Sequence, residues 1–245
     1  MRRVHPVHGI HRRLKQNGPA SVVDIEVIED CSASTRWDEG FLQIRRLRCR
    51  NRRSDGSVST TYRVDVIDRP KLDAVAVVIY RRRGPEIEIL TRHNLRPAAY
   101  FRKDKQPTIP DSQEHLRVEE IVAGVLETSD QGEQGLRQRA ASEVAEEAGI
   151  QVASEEIQIL GGPFFVAPGI VSEKIFLTAV DVTGKPQGEP LGDGSPLEEG
   201  ATLQWRPAVQ LLEDCRSGRL QDAKTEIGVA RFLAAQQVPS PLSGR

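Results

Sequence analysis

The run Ala74-Val75-Ala76-Val77-Val78-Ile79-Tyr80 is apolar at every position, so it has no wet face to offer. A strand of this kind is buried on both sides, as the central strand of a sheet covered by helices is. Ile87-Glu88-Ile89-Leu90-Thr91-Arg92 follows across a Gly84-Pro85 turn and reads as its neighbour. Leu136 to Ala148 is rich in Ala, Glu, Gln and Arg and stops at Gly149, the residue that most easily takes the left-handed conformation ending a helix. Strands are predicted over 157–160, 174–180 and 202–205, and helices over 207–215 and 225–235. The expected fold class is α/β (α+β), a mixed sheet with helices on both sides.

Ahead of this domain, residues 22–28, 41–47 and 61–67 alternate apolar and polar side chains, with a turn at Ser54-Asp55-Gly56-Ser57. They predict a small antiparallel sheet. The expected organisation is a loose basic arm over 1–20, an N-terminal sheet over 21–70, the main domain over 71–238 and a frayed tail over 239–245. His5, His8 and His11 recur every third residue in the arm, but Gly9 interrupts them and no cysteine or carboxylate is near, so no metal site is expected there. The arginines at 45, 46, 48, 50, 52 and 53 alternate between both faces of a strand without interleaved aromatics, which favours a solvated or subunit-contacting face over an RNA site. Residues 102–117, with Pro107 and Pro110, read as an irregular insertion beside Arg96-Pro-Ala-Ala-Tyr100.

Charged residues make up 28% of the 245 residues yet leave a net charge of -1, so no global field favours nucleic acid or an anionic membrane. No apolar stretch approaches the roughly 20 residues that span a bilayer. Cys31, Cys49 and Cys215 are odd in number and lack ligand spacing, which fits reduced structural thiols and a cytoplasmic protein.

On the helix before Gly149, Glu143, Glu146 and Glu147 fall within an arc of roughly 100°. Like charges this close raise one another's pKa unless a cation relieves them, and Mg²⁺ prefers such oxygen ligands. Three glutamates alone are an ordinary solvated helix face. Their surroundings add information: Glu120-Ile-Val-Ala123-Gly124, a loop, then Glu143-x-x-Glu146-Glu147-x-Gly149-Ile150 resembles the Nudix box, G-x5-E-x7-R-E-U-x-E-E-x-G-U with U apolar. Arg92-His-Asn-Leu-Arg96 before it, Phe165-Val-Ala-Pro168-Gly169 after it and Asp222-Ala-Lys224-Thr225 near the end are similar to the ADP-ribose pyrophosphatase-like branch, in the same order.

The resemblance implies a Nudix-type α/β/α sandwich that hydrolyses a nucleoside diphosphate linked to another moiety, ADP-ribose or a nucleotide sugar above all, to a nucleoside monophosphate and a sugar phosphate. It implies Mg²⁺ (or Mn²⁺) held by Glu143, Glu146, Glu147 and the Ala123 carbonyl. Glu198 or Glu199 would be the general base, and Arg96, Glu120, Pro168 and Gly169 would line the substrate. It also implies a homodimer joined through the N-terminal sheet.

Two positions depart from the pattern. The arginine expected immediately before the first helix glutamate is Ser142, leaving Arg139 as the nearest cation on that face. The earlier box glutamate falls at Gln134, with Glu133 one residue further away, and Gly124 to Glu143 spans 19 positions rather than 15. These departures favour an alternative reading, a Nudix-fold binding module with little turnover. The Asp222 to Thr225 segment reads from its residues as a plain helix N-terminus.

Overall fold

The computed structural model describes residues 22–30, 42–111, 113, 115–192, 198 and 200–237. The basic arm, the tail, Cys31 and Glu199 lie outside them. Two compact units are present, one from residues 22–30 and 44–65, the other from residues 42–43 and 66–237.

The smaller unit carries a three-stranded sheet in the order β1 (Val22–Asp30), β2 (Gln43–Arg53), β3 (Tyr62–Asp68), whose last residues enter the larger unit. Strands β1 and β2 pair antiparallel from Val22↔Arg53 to Asp30↔Leu47. Alternation along β2 buries Leu47 and Cys49 and exposes Arg46 and Arg48. Those arginines meet acids of the same sheet, Arg48 with Glu29 at 2.8 Å and Arg46 with Asp65 at 3.8 Å.

In the larger unit, β4 (Ala74–Arg83) lies inside a mixed sheet ordered β11-β5-β4-β10-β8. Its neighbours are β5 (Glu86–Leu95), antiparallel, and β10 (Lys174–Asp181), parallel. Strand β11 (Thr202–Pro207) extends the β5 edge and β8 (Gln158–Ile159) the β10 edge. Short strands β6 (Arg117–Glu120), β7 (Val122–Val125) and β9 (Phe164–Phe165) continue the pairing of β5, β4 and β10.

The continuous apolar run of β4 serves two cores. Ala74, Ala76, Val78 and Tyr80 pack with Leu211 and Leu212 of α3 (Ala208–Arg216) and Val229 and Phe232 of α4 (Ala223–Gln237). Val75, Val77 and Ile79 pack with Leu136, Ala140, Val144 and Ala148 of α2 (Gly132–Ala148). Each fully buried aliphatic side chain contributes about 1.5–3 kcal/mol, so this strand anchors both layers. The result is the expected α/β fold, with helices on both sides of the sheet. Helix α2 ends where anticipated, because Gly149 takes φ 68° and its N–H bonds back to Ala145.

The structure differs from the sequence reading at Glu119 to Gly124, which form parts of β6 and β7. The charged pair Glu119 and Glu120 obscures strand character because its carboxylates find cations inside the protein. A helical turn, α1 (Pro97–Tyr100), precedes the expected 102–117 insertion, which opens within a 3-10 turn over Phe101–Asp104 before an irregular stretch leads into β6.

Candidate active site

Helix α2 turns Leu136, Ala140, Val144 and Ala148 into the core, and the adjoining stripe carries Glu143 and Glu147 partly under with it. Their side chains are only 11% and 16% exposed, deep enough for dielectric effects to dominate. Burial, then the charges of Glu147 and Glu146, push Glu143 up to about 7. Burial also pushes Glu147 up to about 7, with the Arg92 charge opposing and Glu198 and Glu120 adding to the rise. Glu146 stands at the exposed edge of the arc, where its backbone carbonyl accepts from the Gly192 N–H at 3.0 Å.

The main cation on this face comes from the sheet. Arg92 of β5, with a side chain 5% exposed, places one nitrogen, Nη1, 2.6 Å from Glu147 Oε1 and 2.9 Å from Glu198 Oε1. Arg139, which the helix spacing nominated, lies 3.9 Å from Glu143 but is committed to Asp130 at 2.8 Å. That hydrogen bond helps hold Asp130 low against the cost of its burial. Asp130 also accepts from the Glu127 backbone N–H at 2.8 Å. Thus Asp130 is the loop carboxylate that turns toward the glutamate face. Glu133 pairs with Arg137 at 2.7 Å with its side chain 65% exposed, and Gln134 reaches Ser154.

A second polar cluster is built on Glu120, buried at the end of β6. Arg96 donates from Nε at 2.8 Å and approaches with Nη2 at 2.5 Å, both to Oε1, and Asn94 Nδ2 donates to the same oxygen at 3.0 Å. Lys224 Nζ takes Oε2 and also reaches Asp222 at 3.0 Å. Burial raises the Glu120 pKa, but Lys224 and Arg96 outweigh it and leave the carboxyl below its ordinary value. Asp222 caps α4 through the Thr225 N–H at 2.9 Å, and Thr225 Oγ1 accepts from the Ile121 N–H at 2.9 Å. The segment is therefore a helix cap that also delivers Lys224 to Glu120, an arrangement with no local sequence signal because its partner lies 104 residues away.

Ala123 and Gly124 run beside the helix. Glu147 accepts a hydrogen bond from the Ala123 backbone, which slightly favours its charged form. A Cβ on Gly124 would fall 1.8 Å from Glu143 Oε1, so only glycine leaves that carboxylate its place. The turn at Pro168-Gly169 is exposed and closes on itself through Ile170 N–H and Val171 N–H to the Ala167 carbonyl. The 97–117 region lines a cavity of about 360 Å³ with His93, Glu119 and Arg219. By strand alternation His93 faces away from Arg92 and Asn94, so this cavity lies on the other side of β5.

Among the described residues, no three His, Cys, Asp or Glu side chains are already gathered as a metal-binding group. The donor set nevertheless fits a hard divalent ion. It consists of carboxylate oxygens on a backbone cradle shaped by Gly124, and two of those carboxylates are buried close to further acids. Among the described residues, no helix is long and apolar enough to cross a membrane.

No family model matches the chain, and no curated protein matches it. A solved structure described as an ADP compounds hydrolase is similar in fold, with a TM-score of 0.56 at 14% identity, covering 90% of this chain and 97% of that one.

Proposed function

We propose that this protein is a divalent-metal-dependent hydrolase of the Nudix type that cleaves a nucleoside diphosphate linked to another moiety, ADP-ribose or a nucleotide sugar. The observation that carries the reading is the pair Glu143 and Glu147, buried together on one helix and both pushed up to about 7, with Arg92 against Glu147. Buried like charges are costly in a purely structural helix, and a hard cation removes the cost. The fold likeness to a hydrolase of ADP compounds agrees with this reading.

Glu143 and Glu147, with Glu146 at the solvent edge and the Ala123 carbonyl, would hold the metal. When bound, the ion neutralises charge developing on the phosphate oxygens. Arg96, fixed on Glu120 while 45% of its side chain stays exposed, is placed to take a substrate phosphate. Glu198 is positioned beside Glu147 by Arg92 and is our choice over Glu199 for receiving the proton of the attacking water.

Incubating the purified protein with Mg²⁺ and a panel of ADP-ribose, nucleotide sugars, dinucleotides and coenzyme A derivatives tests this. The expected products from the first two are a nucleoside monophosphate and a sugar phosphate, and Glu147→Gln should abolish their formation. One observation favours a second reading, a binding module: Arg92 already occupies the space between Glu147 and Glu198. Metal-independent binding across the panel without turnover would support that alternative.

A further inference from the structure

Ser142 carries no charge, and Arg139 is held by Asp130 at 2.8 Å, so neither neutralises Glu147. Arg92 does so from another layer of the protein. Its Nη1 touches Glu147 of α2 and Glu198 of a later segment, carboxylates separated from it in sequence by 55 and 106 positions. A cation at 5% exposure between two acids is held by them as much as it holds them. Arg92 is the cation that Glu147 and Glu198 share.

We infer that Arg92 is a resident counter-cation for the carboxylate site: it holds Glu147 and Glu198 together and yields Glu147 to an incoming divalent ion. The inference rests on the proposed reading of α2 as a metal-holding helix. It makes Arg92 a positioning residue, because it acts on the reaction through the two glutamates. Arg92 and the metal both neutralise Glu147, so their contributions to stability must be less than additive. The competition also lowers metal affinity, since binding has to displace an existing ion pair.

The test uses metal-free full-length protein and needs no substrate. Melting curves in EDTA and in Mg²⁺, with calorimetric titration of Mg²⁺ alone, are recorded for wild type and Arg92→Leu. The variant should melt several degrees lower in EDTA, gain at least twice the wild-type Tm increase on adding Mg²⁺, and bind Mg²⁺ about ten-fold more tightly, as expected for one unit of charge removed from a shared site. Equal Tm increases, or Mg²⁺ affinity that is unchanged or weaker, would overturn the inference. If Arg92→Leu does not fold, Arg92→Gln carries the same comparison, since it keeps a polar side chain without the charge. A protein showing the larger Mg²⁺ response but hydrolysing nothing in the panel would defeat the proposed reaction and leave Arg92's role standing. Hydrolysis accompanied by equal Mg²⁺ responses would do the reverse.

Discussion

Glu143 occupies the space that a side chain on Gly124 would need: a Cβ built there lies 1.8 Å from Oε1 and 1.9 Å from Cδ of the glutamate. The atoms in conflict are the far end of a flexible side chain, so Gly124→Ala should displace the carboxylate more than the fold. We expect the variant to remain folded, with the Tm lowered by a few degrees, and to lose about ten-fold or more in metal-dependent turnover, which is about 1.4 kcal/mol. Melting curves alongside an Mg²⁺ titration of activity will check this. A variant as active as wild type would detach Gly124 from the site.

Glu143 and Glu147 also make a pH prediction. Both are raised to about 7 from an ordinary value of 4.5, so between those limits the folded protein binds more protons than the unfolded chain. Stability should therefore fall as pH rises from about 4.5 to about 7 and level off above, at about 1.4 kcal/mol for each pKa unit of each group. Denaturant melts in EDTA across this range measure the slope. Glu143→Gln should flatten it, and an unchanged slope in that variant would remove Glu143 as its source.

Lys224 and Arg96 share the carboxylate of Glu120 but should fail differently. Lys224 is 14% exposed, and Lys224→Met leaves a buried acid short of a partner, a change that costs about 3–5 kcal/mol. Arg96 is 45% exposed, and its pairing should contribute no more than about 1 kcal/mol to stability. Arg96→Ala is thus expected to melt near wild type while raising KM for the diphosphate substrate. Parallel denaturation and steady-state kinetics separate the two effects.

Asp130 and Glu133 provide a contrast within a few residues. Asp130→Asn should weaken the hold on Arg139 and reduce turnover several-fold, whereas Glu133→Gln removes only an exposed pair with Arg137 and should leave activity within two-fold, differences of about 1 kcal/mol and below. The opposite ranking in kcat/KM would restore Glu133 as the loop acid.

Much of this was readable from pattern alone where local rules coincide. The two-sided apolar run of β4 announces a central strand, and Gly149 marks the helix end because its φ of 68° suits glycine best. The four-residue spacing of Glu143 and Glu147 by itself puts both on one helix face. Arg92 stands in the sequence only as the first residue of the Arg92-His-Asn-Leu-Arg96 segment, with no role of its own, because an arginine at the end of an alternating strand looks like a solvent-facing residue. Its burial depends on Glu147 and Glu198, far along the chain. Glu119 and Glu120 concealed β6 for the same reason: Arg206 and Lys224 supply their charges from distant segments. Propensity is local, and these pairings are not.

The smaller sheet leaves apolar side chains in water, with Ile28 and Ile44 each 44% exposed. Three strands are marginal alone, and we predict that a second copy covers them in a homodimer. Sedimentation at micromolar concentration should give twice the 27.2 kDa chain mass, and Ile28→Glu with Ile44→Glu should give the monomer. A monomeric wild type would dismiss the idea.

Strand β4 pairs in parallel with β10 from Ala74↔Ile175 onward, so the two partners are about a hundred residues apart before they meet. Closing so long a loop delays its reward, and chains dominated by such contacts fold slowly. Arg92, Glu120, Glu147, Glu198 and Lys224 become neighbours only through the same long-range closures. Recovery of the site during refolding should thus lag behind recovery of helical signal, which makes the carboxylate cluster a sensor of when the whole chain has finished folding.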